Sequence, residues 1–214
     1  MPLYKTITVS PFIKLLVWKV SEAEADLKKD LSLTPGSELR LEGMKSEIHR
    51  RAYLSIRYLL ALMGYVDHDL FYDSSGKPHL TDGSHISITH SHHFTGIIIS
   101  QKEEVGIDIE KQRPKIIRIA HKFTPYGISS LDEKQEEEIK KLTIIWGAKE
   151  SLYKIYGTPG LSFFKNIFVT DFNSITENKT TAKIIFEKRE SFYTVSFLEF
   201  EGFTCVYALQ NYLD

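Results

Sequence analysis

Apolar and polar positions alternate from Ile7 to Trp18 well enough to predict a strand, broken near Pro11. Ser21 is placed to cap a short helix running to about Leu31, with Glu22 and Glu24 in its first turn. From Ser46 to Met63, Ile48, Ala52, Leu59 and Leu62 fall near helical spacing, and Gly64 is placed to end that helix. Phe71 to Asp82 reads as two short extended pieces around a turn at Ser75 and Gly76. Ile86 to Ile88, Thr95 to Ser100 and Val105 to Ile109 read as strands, the second with an unbroken Ile97-Ile98-Ile99 core. Glu133 to Tyr156 predicts a long helix, acidic at its start and basic later, which suits the helix dipole. Four more strands follow at Ile167 to Asp171, Thr181 to Phe186, Phe192 to Phe200 and Phe203 to Leu209, with Glu201-Gly202 as a hairpin turn between the last two.

The two halves share a rhythm, a helix followed by several antiparallel strands, with the join near Gln101 to Gly106. That rhythm hints at an internal duplication with a cleft between two lobes. A chain of 214 residues, 42% hydrophobic, is long enough and apolar enough for one large domain or two small ones sharing a core. Its net charge of −1 supplies no global field for nucleic acid or an anionic membrane, so an anion site has to be a local cluster of Lys, Arg and His. The lone Cys205 excludes an internal disulfide and a cysteine-only zinc site, and its strand-like surroundings suit a small buried filler. The N-terminal stretch has no signal-peptide pattern and no stretch is apolar enough for a membrane span, which makes the cytoplasm the expected compartment.

Candidate chemistry lies in three places. Asp108 and Glu110, one residue apart in an expected strand, put both carboxylates on one face while Ile107 and Ile109 face the other. Such a pair fits either a hard divalent ion or an ordinary solvated strand face. Trp146, Glu150 and Lys154 form a stripe on the long helix; a simple Glu–Lys pair explains the last two, although their neighbours are apolar. Arg50, Arg51 and Arg57 on the earlier helix, Lys77 in GKPHL and His90 in ISITHS form a cationic set suited to phosphate oxygens. Taken singly, surface Arg and Lys are common, and His90 also fits a satisfied core histidine.

In this order, HRRAYLSIRYLL (His49 to Leu60), GKPHL (Gly76 to Leu80), ISITHS (Ile86 to Ser91), VGIDIE (Val105 to Glu110), WGAKESLYK (Trp146 to Lys154) and GLSF (Gly160 to Phe163) resemble the 4′-phosphopantetheinyl transferase superfamily. The spacing resembles its larger, pseudo-dimeric, surfactin-synthetase-activating branch. The resemblance implies an α+β fold of two similar α/β lobes related by pseudo-two-fold symmetry, residues 1–104 and 105–214, with antiparallel strands packed on helices and the active site at the lobe interface. It implies transfer of 4′-phosphopantetheine from coenzyme A to a serine of an apo acyl or peptidyl carrier protein, releasing 3′,5′-ADP, by a monomer. Asp108, Glu110 and Glu150 match the acids that hold Mg²⁺, with Mn²⁺ a second suitable ion. Lys154 matches the phosphate-binding lysine, and Lys149 accompanies it. His90 matches the histidine on a coenzyme A phosphate, Lys77 the lysine near the nucleotide, and Arg50, Arg51 and Arg57 the basic helix positions that help hold the 3′-phosphate. In that frame Glu150 accepts the serine proton, with Asp108 the other candidate, and Lys154 stabilises charge on the leaving group.

The sequence departs from the family where a glutamate often follows the phenylalanine-rich stretch; here HKFTPYGISSL has Gly127 and no acid before Asp132. His92 and His93 have no family role. Two other classes remain open: a non-catalytic coenzyme A or nucleotide-binding protein, and a histidine metal site built from His85, His90, His92 and His93.

Overall fold

Pro11 has no amide hydrogen to give to a ladder, and the chain reverses there. The stretch expected as one broken strand is a hairpin in which β1 (Leu3–Ser10) pairs antiparallel with β2 (Ile13–Lys19). The protein is described by a computed structural model covering residues 3–125, 135–157 and 159–211, and the chain divides into two compact units, Met1–Lys102 and Glu103–Asp214.

In the first unit, α1 (Glu24–Lys29) is shorter than the apolar spacing suggests. Ser21 does not cap it: the helix starts at Glu24 with Ala23 at the cap position and no side-chain cap bond. A second helix, α2 (Pro35–Glu42), has too few apolar positions to show in the pattern, yet its start is chemically clear. Thr34 Oγ1 accepts from the Ser37 amide at 3.3 Å, and Pro35 occupies a first-turn position where a missing N–H costs nothing. Helix α3 (Glu47–Leu62) follows the expected span closely, and Gly64, at φ +86°, reverses the chain after it. Its Leu54, Ile56 and Leu60 share a core with Leu16, Trp18, Ile97 and Ile99.

Those last four residues belong to an antiparallel sheet ordered β1-β2-β6-β5, where β5 is His85–Ser91 and β6 is Phe94–Ser100. Every residue of β6 is buried, which is why its sequence runs apolar without alternation. The β5–β6 hairpin turns at His92-His93, with His92 in the left-handed region at φ 52°. A separate small hairpin is formed by β3 (Leu70–Tyr72) and β4 (Pro78–Leu80), as the Ser75-Gly76 turn suggested.

The second unit runs β7 (Val105–Lys111), α4 (Lys115–Ile119), α5 (Gln135–Tyr156), β8 (Ile167–Val169), β9 (Lys179–Phe186), β10 (Arg189–Phe200) and β11 (Phe203–Asn211). Its antiparallel sheet is ordered β7-β11-β10-β9-β8. The expected start of the long helix at Glu133 lies outside the described residues. Leu142, Ile144, Ala148, Leu152 and Ile155 of α5 bury against Ala182, Ile184, Tyr193, Val195, Val206 and Ala208 of the sheet. Glu201 and Gly202 both take positive φ, the two-residue turn expected between β10 and β11. Glu187 and Lys188 make the same turn between β9 and β10 with neither Gly nor Asn to announce it. Cys205 is fully buried opposite Ile109, in keeping with a filler.

The fold is α+β, with antiparallel sheets and helices packed on them. No helix among the described residues is long and apolar enough to cross a membrane.

Candidate active site

Gly106, Asp108 and Glu110 share one face of β7 by the two-residue period of a strand. At Gly106 that face meets α5 directly: a Cβ there would stand 2.0 Å from the Ser151 carbonyl oxygen and 3.0 Å from Ile155 Cγ1. No side chain fits. Gly147 repeats the arrangement from the helix side, since its Cβ would lie 2.8 Å from Val206 Cγ2 and 3.7 Å from Asp108 Oδ2. The Ser151 hydroxyl, donating to the Val206 carbonyl at 3.1 Å, fastens the helix to β11 between them. Close approach of backbone to backbone therefore sets the spacing between the acids of β7 and the side chains of α5.

Across that contact Lys154 Nζ donates to Asp108 Oδ1 at 2.8 Å and to the Ile107 carbonyl oxygen at 2.8 Å. Asp108 is 6% exposed, and Glu110 and Glu150 are half-buried. Burial, and then the Asp108 charge, push Glu110 up to about 7; Glu150 adds to the rise, while Arg113 and Lys154 oppose it. Glu150 is raised by burial and by Asp108, again against Lys154. The three expected acids thus lie within electrostatic reach of one another and of one ammonium.

No three His, Cys, Asp or Glu side chains among the described residues are gathered closely enough to form a finished metal cage. The donor set nonetheless suits a hard divalent ion in kind: all oxygen, half-buried or better, and mutually repelling. Mg²⁺ takes one or two carboxylates together with waters and substrate phosphate oxygens, so a complete protein cage is not required. Asp108, Glu110 and Glu150 are the residues that would hold it.

Trp146 heads the Glu150–Lys154 stripe. Its ring lies 5.2 Å from Phe123 and 5.3 Å from Phe163, and Tyr153 lies 5.7 Å from Phe163. Lys149 is turned into the fold. It is 4% exposed, donates to the Phe163 carbonyl at 2.6 Å and to the Ile167 carbonyl, and is pulled down to about 8 by burial. Its work is to tie the stretch after GLSF to α5, which holds Phe163 beside Trp146 and Tyr153.

The cationic set of the first unit divides in the same way. Arg57 is buried, with Nε 2.8 Å from Asp67 Oδ1, Nη1 on the Tyr53 carbonyl and its guanidinium 3.5 Å from the centre of the Tyr53 ring. Asp67 also accepts from Thr34 and Ser37. Burial would raise its carboxyl, but these bonds and the Arg57 charge hold it below the usual value. Arg50 grips Glu24 at 2.8 Å and the Met44 carbonyl at 2.9 Å, joining α1 to α3. Arg51 differs from both: its buried Nε has no hydrogen-bond partner among the described residues.

Lys77 lies in a loop built around Asp73, whose Oδ1 accepts from the Ser75 amide at 2.8 Å and the Lys77 amide at 3.0 Å and whose Oδ2 meets His79 at 3.0 Å. The Ser75 hydroxyl and His79 hold this carboxyl far below the usual range. Asp73 is absent from the expected site, although an Asp opening a Ser-Gly turn is a readable signal. His90 is exposed at the end of β5 with its ring 5.4 Å from that of His49. His85 sits at the opposite end of β5, opposite Ser100, while His90 lies opposite Thr95. With that separation, and with no three-ligand group among the described residues, nothing observed favours the histidine metal site. The departure at Gly127 lies outside the described residues.

The family model for the 4′-phosphopantetheinyl transferase superfamily matches residues 104–209, which contain the acids of β7, all of α5 and Lys154. Through that span the chain belongs to the 4′-phosphopantetheinyl transferase superfamily. The superfamily's activity is phosphopantetheine transfer, with coenzyme A as the substrate that carries the group, and this makes the protein a transferase by membership. No curated relative matches the chain. The superfamily match begins two residues before Gly106 and so includes both glycines that bring β7 and α5 together.

Proposed function

We propose that the protein transfers 4′-phosphopantetheine from coenzyme A to a serine hydroxyl of an apo acyl or peptidyl carrier protein, releasing 3′,5′-ADP. The observation that carries this reading is the meeting of Asp108, Glu110 and Glu150 with the Lys154 ammonium at the β7–α5 contact, inside the superfamily span. When bound, a divalent ion, Mg²⁺ or Mn²⁺, supplies neutralising charge to the pyrophosphate oxygens. Asp108, Glu110 and Glu150 are assigned to hold that ion. Glu150, its carboxyl raised by burial, is assigned to accept the serine proton. Lys154 is assigned to the charge that develops on the leaving diphosphate.

For the nucleotide, Arg51 is the arginine of choice, because Arg50 and Arg57 already serve Glu24 and Asp67. His90 and Lys77 complete the anion-binding set, and Lys149 leaves it for a structural part. We place the chain in the larger branch of the superfamily, on the strength of its 214 residues and its two compact units. Incubation with coenzyme A, Mg²⁺ and a panel of apo carrier proteins, read by intact mass, is the test. A gain of one phosphopantetheine on a carrier supports the reading. Coenzyme A binding that ignores Mg²⁺, with every carrier unmodified, would replace it with a non-catalytic binding protein.

A further inference from the structure

The ammonium of Lys154 stands where the acids need a cation. Its Nζ is 2.8 Å from Asp108 Oδ1 and 2.8 Å from the Ile107 carbonyl oxygen, so it is held by two directed bonds. The same charge acts on Glu110 and on Glu150, opposing the repulsion that Asp108 imposes on each. That ammonium acts on all three carboxylates, Arg113 helping at Glu110 alone, and a divalent ion at the same carboxylates would neutralise them further. Asp108 Oδ2 is buried, so an ion would reach this carboxylate through Oδ1, and Lys154 occupies that oxygen. Ammonium on a flexible four-carbon stem is a compact charge that is easily re-aimed, and the side chain keeps 28% exposure, enough to leave without unpacking the core.

We propose that Lys154 is an exchangeable placeholder cation: it neutralises Asp108 while no metal is bound, and divalent-ion binding displaces its ammonium from that carboxylate and frees it for the diphosphate of coenzyme A. The proposal rests on the assignment of Asp108, Glu110 and Glu150 as metal ligands made above. Breaking a charge-assisted hydrogen bond opposes ion binding, by roughly ten- to a hundredfold in affinity. Coenzyme A offers the released ammonium a new partner. Ion and nucleotide therefore strengthen each other's binding by the same factor, as linkage requires.

The test is titration of Mn²⁺, followed by its electron paramagnetic resonance signal, into the wild-type protein, Lys154→Met and Lys154→Arg, without and then with coenzyme A. Lys154→Gln replaces the Met variant if circular dichroism shows that variant misfolded. Without coenzyme A the Met variant is expected to bind Mn²⁺ roughly ten- to a hundredfold more tightly than wild type. The Arg variant, which keeps the charge, should stay near wild type. Coenzyme A should then tighten wild type by a larger factor than the Met variant. Equal Mn²⁺ affinity in wild type and the Met variant would overturn the placeholder and leave the metal site standing. Absence of saturable Mn²⁺ binding in both, even with coenzyme A, would overturn the metal site itself.

Discussion

Helix α3 and the β7–α5 contact both collect charge, and they treat it in opposite ways. On α3, Arg57 is buried against Asp67 and Arg50 is paired with Glu24, so each guanidinium has its counter-charge within the fold. At β7 and α5, three carboxylates press on one another and lean on Lys154, with Arg113 reaching Glu110 besides. On α3 charge is matched pair by pair and does structural work; at β7 and α5 one ammonium is shared among three carboxylates. The same division separates neighbours on one helix, Lys149 sealed under Phe163 and Ile167, Lys154 facing the acids.

The contrast can be broken by removing charge on each side. Asp108→Ala or Glu150→Ala should lower carrier modification by about a thousandfold or more while the circular dichroism spectrum and melting curve stay close to wild type. Near-normal transfer in either variant would mean the excess charge has no catalytic purpose. Arg57→Ala should do the reverse and destabilise the fold by about 3–5 kcal/mol in urea denaturation, because it leaves Asp67 buried without its partner.

The contact itself is tested at Gly106. Gly106→Ala has to drive β7 and α5 apart, so we expect a loss of about 3 kcal/mol in stability, accompanied by a fall in transfer rate as Asp108 moves relative to Glu150. A smaller effect sharpens the comparison within α3. Arg51→Ala should raise the KM for coenzyme A about tenfold with kcat little changed, whereas Arg50→Ala should leave that KM where it is. The smallest is a pH effect. The Asp67 carboxyl titrates below its ordinary 3.8 in the folded protein, so the unfolded chain binds the proton more readily. The stability Asp67 contributes is complete above that ordinary value and is lost as the pH falls below it and through the lower value of the folded state. Asp67→Asn should flatten this acid limb in a series of thermal melts between about pH 5 and pH 2.

Much of this architecture was legible because it rests on local rules. The α3 span, the Glu201-Gly202 turn and the shared face of Asp108 and Glu110 follow from period and from glycine's freedom. Elements set by other forces stayed hidden. Helix α2 depends on the Thr34 cap rather than on an apolar stripe, α4 is only five residues long, and the Glu187-Lys188 turn uses residues with no preference for positive φ. At the site, residue types named candidates but could not rank them. Lys149 and Lys154 lie in one motif, and Arg50, Arg51 and Arg57 share one helix. Only three-dimensional partners separate the bound from the available. Gly106 was equally mute, since a missing side chain shows its purpose only when the carbonyl of Ser151 is seen beside it.

That missing side chain has a consequence for how the protein can vary. Where main chain rests on main chain, the gap between strand and helix is set by van der Waals contact rather than by the girth of side chains. Exchanges of size at Ile144, Ile184 or Val195 in the same core should cost stability, yet disturb the carboxylate separation less than a side chain at Gly106 would. The spacing of the acids is gauged from that fixed stop.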